Sequence, residues 1–571
     1  MVARYVVSPR GGRRAHPDIT SALRAAAARG RAALIEIAPG TYEESLVVRG
    51  EVRLVATDGP GSVVVSRLRG TVLETSGSVR VEGLVLTGRD TEADTVTCLA
   101  GTLTLDHVEV RTPGGAGTHA RPNTHVTLRD SVILHGRTVF TASTGLIERC
   151  RFTDAADNAI AVIEGARVAV RGSRIEGSRI HGVRVCDAQA EVTGCELTGT
   201  GHSALMADTR AELTVADCAI TAVHAEGIMF IEQSRGSVHG TRVTDAQHGI
   251  AAASGADPTV RGCVFAECRD TGINIQSSAR GRFEDCQVLG AGNVSVFSTT
   301  GGAPEVHGCR ISGGNVGIAL TDGGRGRFTR IGIEGLTSSA LRVWDGSKGV
   351  FEHVRVDRCA QGLDTTRGDG GTTADLTDAV FRDFGVTAVT ALGQSRVTLK
   401  GVKAERGVVG FGAGEDAQLL VHDCDVTAMR VGGIVAYGKA GLFARNLTVN
   451  GSEGTGLTGA GSAYLDVADS EFTDCAEMGA VFADDSAGRV VNCSVNGTQG
   501  TAVVHNGRVD LVSLRTSLPV VHKTVRTVEP TPTIINNYNG PVIHGSVTNS
   551  QFSWNNDNVV QQQAEGDGST A

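Results

Sequence analysis

The side chains with the most obvious chemical potential in this 571-residue sequence are its 13 cysteines and the charged groups between them. Thiols at regular spacing suggest disulfides or a metal site. The step from Cys195 to Cys218 is repeated from Cys263 to Cys286 and again from Cys286 to Cys309. Each stands in the same phrase: TGCEL, ADCAI, RGCVF, EDCQV and HGCRI. Ser173, Thr241 and Ser470 fill the slot in RGSRI, GTRV and ADSEF, and Cys150, Cys424 and Cys493 extend it. Two residues further on comes an apolar side chain, as in Phe152, Ile175, Leu197, Ile220, Val243, Phe265, Val288 and Ile311. That alternation places the thiol and the apolar residue on the same side of a strand. Metal ligands must instead converge from several directions. Free cysteine is also a small hydrophobe. The cysteines therefore read as an interior ladder, and so many reduced thiols favour a cytoplasmic location.

A second phrase, a small residue followed by an aliphatic one, recurs eight or nine positions past the ladder: Gly182-Val183, Gly227-Ile228, Gly249-Ile250, Gly272-Ile273, Gly317-Ile318, Gly362-Leu363 and Gly433-Ile434. The outward positions after it are mostly small or apolar. The richest neighbourhood holds Asn274 and Gln276, then Arg342 with Trp344, then Asp364. An indole face stacks on a sugar ring, and Arg, Asp and amides bond hydroxyls or a carboxylate. These five are the candidate ligand-binding residues for a carbohydrate or protein. The bland alternative is an Arg342–Asp364 ion pair covered by Trp344. Glycoside hydrolysis needs two carboxylates across the bond, and this column offers one, so no catalytic residue is assigned. Corner residues Glu164, Asp187, Glu232, Ser254, Ser277, Asp322 and Asp345 form another column. Asp322 and Asp345 are candidate calcium ligands, although turn chemistry accounts for the same residues. No other cofactor is implied.

The elements that must position these side chains follow from the period. A third strand opens each coil, as at Val260, Phe283, Val306 and Phe328. Three short strands per turn, separated by Gly, Asp and Ser, predict an all-β, single-stranded right-handed parallel β-helix. The reading is about nineteen coils of 22–24 residues over 79–520, a rod on the order of 90 Å long at 4.8 Å per coil. Residues 1–78 are read as a cap helix and first irregular coils, with the helix running from Pro17-Asp18 through Arg29 to a stop at Gly30. Small and β-branched residues fill a narrow cylinder, in keeping with 76 Gly and 4% aromatics. A net charge of −9 without a basic block argues against nucleic acid. The opening MVARYVVSPRGGRRAHPD has no apolar core, and no run approaches a membrane span.

The stretch DITSALRAAAARGRAALIEIAPGTYEESLVVRGEVRLVA resembles the start of pectinesterase-like and pectate-lyase-like β-helix proteins, with a helix, a strand and a Pro-Gly-x-Tyr turn before the first coil. The resemblance covers roughly residues 16–520 and implies the fold. It does not carry the activity. The pectinesterase phrase GTVDFIFG is absent, as is the alginate-epimerase phrase YGFDPHD. The polygalacturonase Asp-Asp pair has a formal counterpart in Asp484–Asp485, but its Gly-His-Gly is met only by Gly201-His202-Ser203. No lyase phrase with calcium-binding acids and an Arg is found.

The register stops after Val520. Residues 521–533 read as a Thr/Pro linker, and 534–571 as an Asn/Gln-rich tail. Its composition suits stacked strands with amide ladders. NGPVIHGSVTNSQFSWNNDNVVQ resembles the terminal motifs of bacterial amyloid-signalling proteins, which pair like with like. That resemblance makes Val542, Ile543, Gly545, Val547, Asn549, Gln551, Phe552 and Trp554 self-assembly candidates and implies a homotypic partner. A cap folded over the last coil and a disordered tail are the other readings. The sequence thus leads to a cytoplasmic, non-enzymatic scaffold recruiting a partner through its tail. Its rival is a divergent polysaccharide lyase, hydrolase or esterase acting on an outward sheet face.

Overall fold

In the computed structural model, residues 2–9, 15–522, 541–544 and 551–554 are described. One sheet of 58 strands winds through the chain as a parallel β-solenoid of about 21 turns. Each regular coil contributes three strands. Face A is a three-residue strand directly after the ladder position, such as Arg151–Thr153. Face B carries the small–aliphatic phrase, as in Ile160–Ile163, and face C closes the coil, as in Arg167–Arg171. Each strand pairs in parallel with its counterpart one coil on: Phe152 opposite Ile175, Val162 opposite Val185, Val168 opposite Ala190. One continuous core runs from Tyr5 to Val509.

The coil turns sharply where left-handed backbone is allowed. The residue before each ladder position has φ near +50 to +65°, as at Arg149, Gly172, Gly194, Asp217, Gly262 and Asp285. A second such corner follows face A (Asp154, Gly177, Asp245) and a third follows face B (Glu164, Asp187, Ser254, Asp345). Gly, Asp and Asn tolerate this region best, which is why they punctuate the sequence.

The first corner explains the ladder chemistry. It directs the next backbone N–H inward, where no strand partner receives it. The ladder side chain one coil on accepts it instead: Cys150 N–H to Ser173 Oγ (3.1 Å), Ser173 N–H to Cys195 Sγ (3.4 Å), Cys195 N–H to Cys218 Sγ (3.4 Å) and Cys218 N–H to Thr241 Oγ1 (3.3 Å). The same thiol donates to a carbonyl two residues back, Cys218 Sγ to Ala216 O at 3.2 Å. Cys, Ser and Thr share this slot because each is small and both donates and accepts. From Ile331 to Val402 the column turns aliphatic, with Val354 and Ala379 between. The glycine of the second phrase has a steric cause: a Cβ on Gly249 would sit 2.6 Å from Gly272 O in the next coil.

The first irregular coils expected within residues 1–78 belong to the same sheet. The solenoid starts before Val79: Ala3–Val7 already pairs in parallel with Ala33–Ile37, which pairs with Leu46–Ala56, which pairs with Leu73–Glu82. Ala33, Val52, Val79 and Leu103 stack in register although the steps between them along the chain are unequal, and that unevenness hid the period. The count of coils accordingly rises from nineteen to about 21. The helix α1 (Ile19–Arg29) is where expected, buries Ile19, Ala22, Leu23 and Ala26, and ends at left-handed Gly30. Its first N–H groups are held by Asp18 Oδ1 (from Ser21, 2.7 Å) and by Glu44 (from Ile19 and Thr20, 3.0 and 2.7 Å), which satisfies donors a helix start leaves open.

At the other end Val520–His522 adds to face B beside Thr501–His505. Pro541–His544 and Gln551–Trp554 form a separate antiparallel pair with Ile543 opposite Phe552. Val542, Ile543, Gln551, Phe552 and Trp554 fall on these two strands; Gly545, Val547 and Asn549 lie outside the described residues, as does the linker from residue 523.

All 13 cysteines are free, and all but Cys186 are buried. Burial pushes the Cys150, Cys359 and Cys424 thiols up to about 11 and that of Cys268 to about 12, so they stay protonated and unreactive. In native protein at pH 8, a maleimide should label Cys186 alone within minutes, and all thirteen after denaturation. Rapid labelling of several ladder thiols would contradict the interior assignment.

Candidate functional site

Face B is flanked by corner loops rich in acid, base and amide side chains. The parallel register stacks its outward positions one coil apart: Ala161, Arg184, Met206, Met229, Ala251 and Asn274. Two arrangements arise from it.

The first is a hollow of about 350 Å³ over the early coils. Its floor is apolar and small, made by Val139, Ala161 and the half-buried Ile163, against which Ala116 packs. Its rim is charged, and each charge is locally compensated. Arg137 Nη1 lies 2.6 Å from Asp157 Oδ2, Arg184 Nε 2.9 Å from Asp208 Oδ2, and His119 Nδ1 2.8 Å from Asp94 Oδ2. His119 Nε2 turns to Thr141 Oγ1 at 3.2 Å. Burial works against ionisation of Asp94, but the hydrogen bonds from His119 and the Ala116 N–H hold its carboxyl below the usual range. An apolar floor with fixed polar groups on the rim is the usual make-up of a ligand site.

The second is a polar edge just before the small–aliphatic phrase. Ser203 Oγ donates to Glu226 Oε2 at 2.7 Å. His248, buried, places Nδ1 3.9 Å from Asp270 Oδ2, and Asn293 Nδ2 donates to Asp270 Oδ1 at 3.0 Å. Glu226 and His248 occupy matched positions on adjacent strands. Two carboxylates therefore flank one imidazole, about two coil spacings apart, on the order of 10 Å. These residues escape a count of outward positions that begins after the glycine. The signal was available in the residue before it: Glu226-Gly227, His248-Gly249, Thr271-Gly272.

The five ligand candidates lie on the expected face, and four are enclosed: Asn274, Arg342 and Asp364 are each 1% exposed, and Trp344 is 5% exposed. Gln276 is half-buried. Arg342 stands opposite Asp364 in register, with Nε 3.5 Å from Oδ2. Its guanidinium lies over the Trp344 ring at 4.3 Å, and Arg367 approaches that ring at 5.3 Å. Asp364 Oδ1 also accepts from the Thr366 N–H at 2.8 Å. The structure thus brings Arg342, Trp344 and Asp364 together as a buried cation–π and ion-pair unit, with Asn274 and Gln276 three coils away. Asp322 and Asp345 sit at left-handed corners (φ 51° each), and burial raises the Asp345 carboxyl, opposed by Arg367. Among the described residues, the one group with metal-ligand proximity is Asp106, His107 and Asp130. Its carboxylates already pair with Arg80 (2.7 Å) and Arg149 (2.8 Å).

The right handed beta helix region family matches residues 167–311, 203–348 and 366–514, together more than half of the sequence, and the chain belongs to that family. Solved structures match at low identity. The pectin methylesterase of Aspergillus niger is 15% identical over 37% of this chain and 85% of its own, with a TM-score of 0.29. The pre-mature bacteriophage phi29 gene product 12 is 12% identical over 87% and 71%, with a TM-score of 0.36. A PL6 family alginate lyase is 11% identical over 92% and 100%, with a TM-score of 0.26. These similarities are of coil architecture and carry nothing about activity. No curated protein matches the sequence. No helix among the described residues is long and apolar enough to cross a membrane.

Removing the Asp364 carboxylate would leave a buried, unpaired guanidinium, which costs about 3–5 kcal/mol. Hydrogen exchange across 339–364 should show that loss of local stability in Asp364→Ala, and less in an Arg342→Met/Asp364→Leu double variant. Equal protection in Asp364→Ala and the parent would contradict a structural pair. Burial also lowers the basicity of His248, against the pull of Asp270 and Glu226, and that of His181, beside His202. A histidine with a depressed folded pKa stabilises above its unfolded value near 6.5 and loses that contribution as pH falls. Thermal stability should therefore drop from pH 7 to 5, with a shallower slope in His181→Gln/His248→Gln. An unchanged slope would contradict the assignment.

Proposed function

We propose that this protein is a non-enzymatic β-helix scaffold that binds an extended carbohydrate along face B and recruits a homotypic partner through its C-terminal segment. The observation that supports it best is the early face-B hollow, with its floor of Val139, Ala161 and Ile163 and its charge-paired rim. Arg137 and Arg184 are tied to Asp157 and Asp208, so these carboxylates serve to orient donors. Fixed guanidinium donors over an apolar strip suit hydroxyl and carboxylate recognition without bond cleavage. The abundance of free, buried thiols fits a reducing, cytoplasmic setting.

A specific observation favours a second reading. Glu226 and Asp270, with His248 between them, offer two carboxylates on one face, the minimum for acid–base cleavage of a polysaccharide.

Oligosaccharide arrays followed by calorimetry separate the two. The scaffold reading expects saturable binding that falls at least about tenfold in Arg137→Ala/Arg184→Ala, with no new reducing or unsaturated ends. Turnover abolished by Glu226→Gln would replace it with the enzymatic reading, and no binding to any glycan would end both. Recruitment is tested by deleting 525–571. Loss of co-assembly with full-length chain supports the tail's role, and unchanged co-assembly removes it.

A further inference from the structure

We propose a second, unrelated site on a different side of the coil, a receptor for a small multivalent oxyanion built from Arg310, Arg330 and Arg355 on face A. The parallel register stacks Arg310, Gly332 and Arg355 one coil apart. The left-handed corner just before the strand carries Gly308, Arg330 and His353 in the same three coils. Arginine and glycine thus alternate in the first column and Gly, Arg and His follow one another in the second, and the missing side chains at Gly308 and Gly332 leave a hollow of about 550 Å³ walled by the guanidinium groups. A Cβ on Gly332 would meet nothing within 4 Å, so the space over the strand is open.

Charge distinguishes this hollow from the coils that follow it on face A. There Arg358 is paired with Glu334 (2.8 Å), Arg382 with Glu405 (2.9 Å) and Arg406 with Asp383 (2.8 Å), and on face C nearby Arg327 is paired with Glu352 (2.9 Å). Arg310, Arg330 and Arg355 are exposed and have no ion pair among the described residues. His353 has Asp378 at 3.6 Å on its far side. No carboxylate lines the hollow; Asp357 lines a smaller adjoining one with Arg382, into which Arg355 also faces. Three like charges stacked at coil spacing repel, and a concave wall focuses their field. A bound anion removes that cost, and a guanidinium fork matches the oxygens of phosphate or sulfate two at a time.

The spacing sets the ligand class. Arg310 and Arg355 are two coils apart, on the order of 10 Å, with Arg330 between them. One phosphate cannot reach all three; a ligand with two or three phosphate groups can. The hollow's volume falls within the range for small-molecule sites.

Calorimetry of the full chain with tripolyphosphate, orthophosphate and trigalacturonate tests this directly. Tripolyphosphate should bind one site, more tightly than orthophosphate by at least about tenfold, with affinity falling as salt rises. Each of Arg310→Gln, Arg330→Gln and Arg355→Gln should weaken it by about tenfold, with circular dichroism unchanged. Arg327→Gln, whose side chain is already paired, should leave it intact. The proposal is overturned if tripolyphosphate does not bind, if the triple variant binds as the parent does, or if Arg327→Gln weakens binding equally. Tighter binding of trigalacturonate at these arginines would overturn the phosphate assignment in favour of a polycarboxylate.

Discussion

Where the coil turns through a left-handed corner onto a Cys, Ser or Thr ladder position, one inward-pointing N–H must find an acceptor. In those coils the ladder answers that constraint, whereas from Ile331 to Val402 the column only packs. A small side chain, one coil on, accepts the N–H and donates its own proton to a carbonyl, as in the chain Cys150, Ser173, Cys195, Cys218, Thr241. A buried amide left without an acceptor costs about 1–3 kcal/mol, a large fraction of what one coil contributes in a solenoid stabilised by neighbours. The cysteines hold register by hydrogen bonding and packing, and all but Cys186 are buried away from solvent.

Because register is fixed at the ladder, every outward column is fixed with it. On face B this lines up a small apolar floor against paired charges and, further along, Glu226, His248 and Thr271, with Asp270 one residue before the last. On face A it lines up Arg310, Gly332 and Arg355. The solenoid thus turns sequence period into surface periodicity. Side chains a full coil apart along the chain become neighbours in space, without any loop being asked to converge.

What was legible in the sequence follows from the same point. The ladder could be read because Cys195, Cys218, Cys263, Cys286 and Cys309 keep one interval and one phrase. The first coils could not, since the steps from Ala33 to Val52, Val79 and Leu103 are unequal and break the period. The grouping of Arg342, Trp344 and Asp364 was visible, but their enclosure was not, because burial depends on packing that no single strand records. Glu226 and His248 escaped notice one position upstream of the glycines. The face-A arginines escaped because their significance lies in absent partners, which only pairing geometry reveals.

The ladder side chain's role as an acceptor is the central claim, and one pair of variants isolates it. Thr and Val are nearly isosteric, and only Thr retains the acceptor at position 218. Native-state hydrogen exchange over residues 190–225 should find Cys218→Thr within about 0.5 kcal/mol of the parent, and Cys218→Val less stable by about 1–3 kcal/mol. Equal local stability of the two variants would contradict that role.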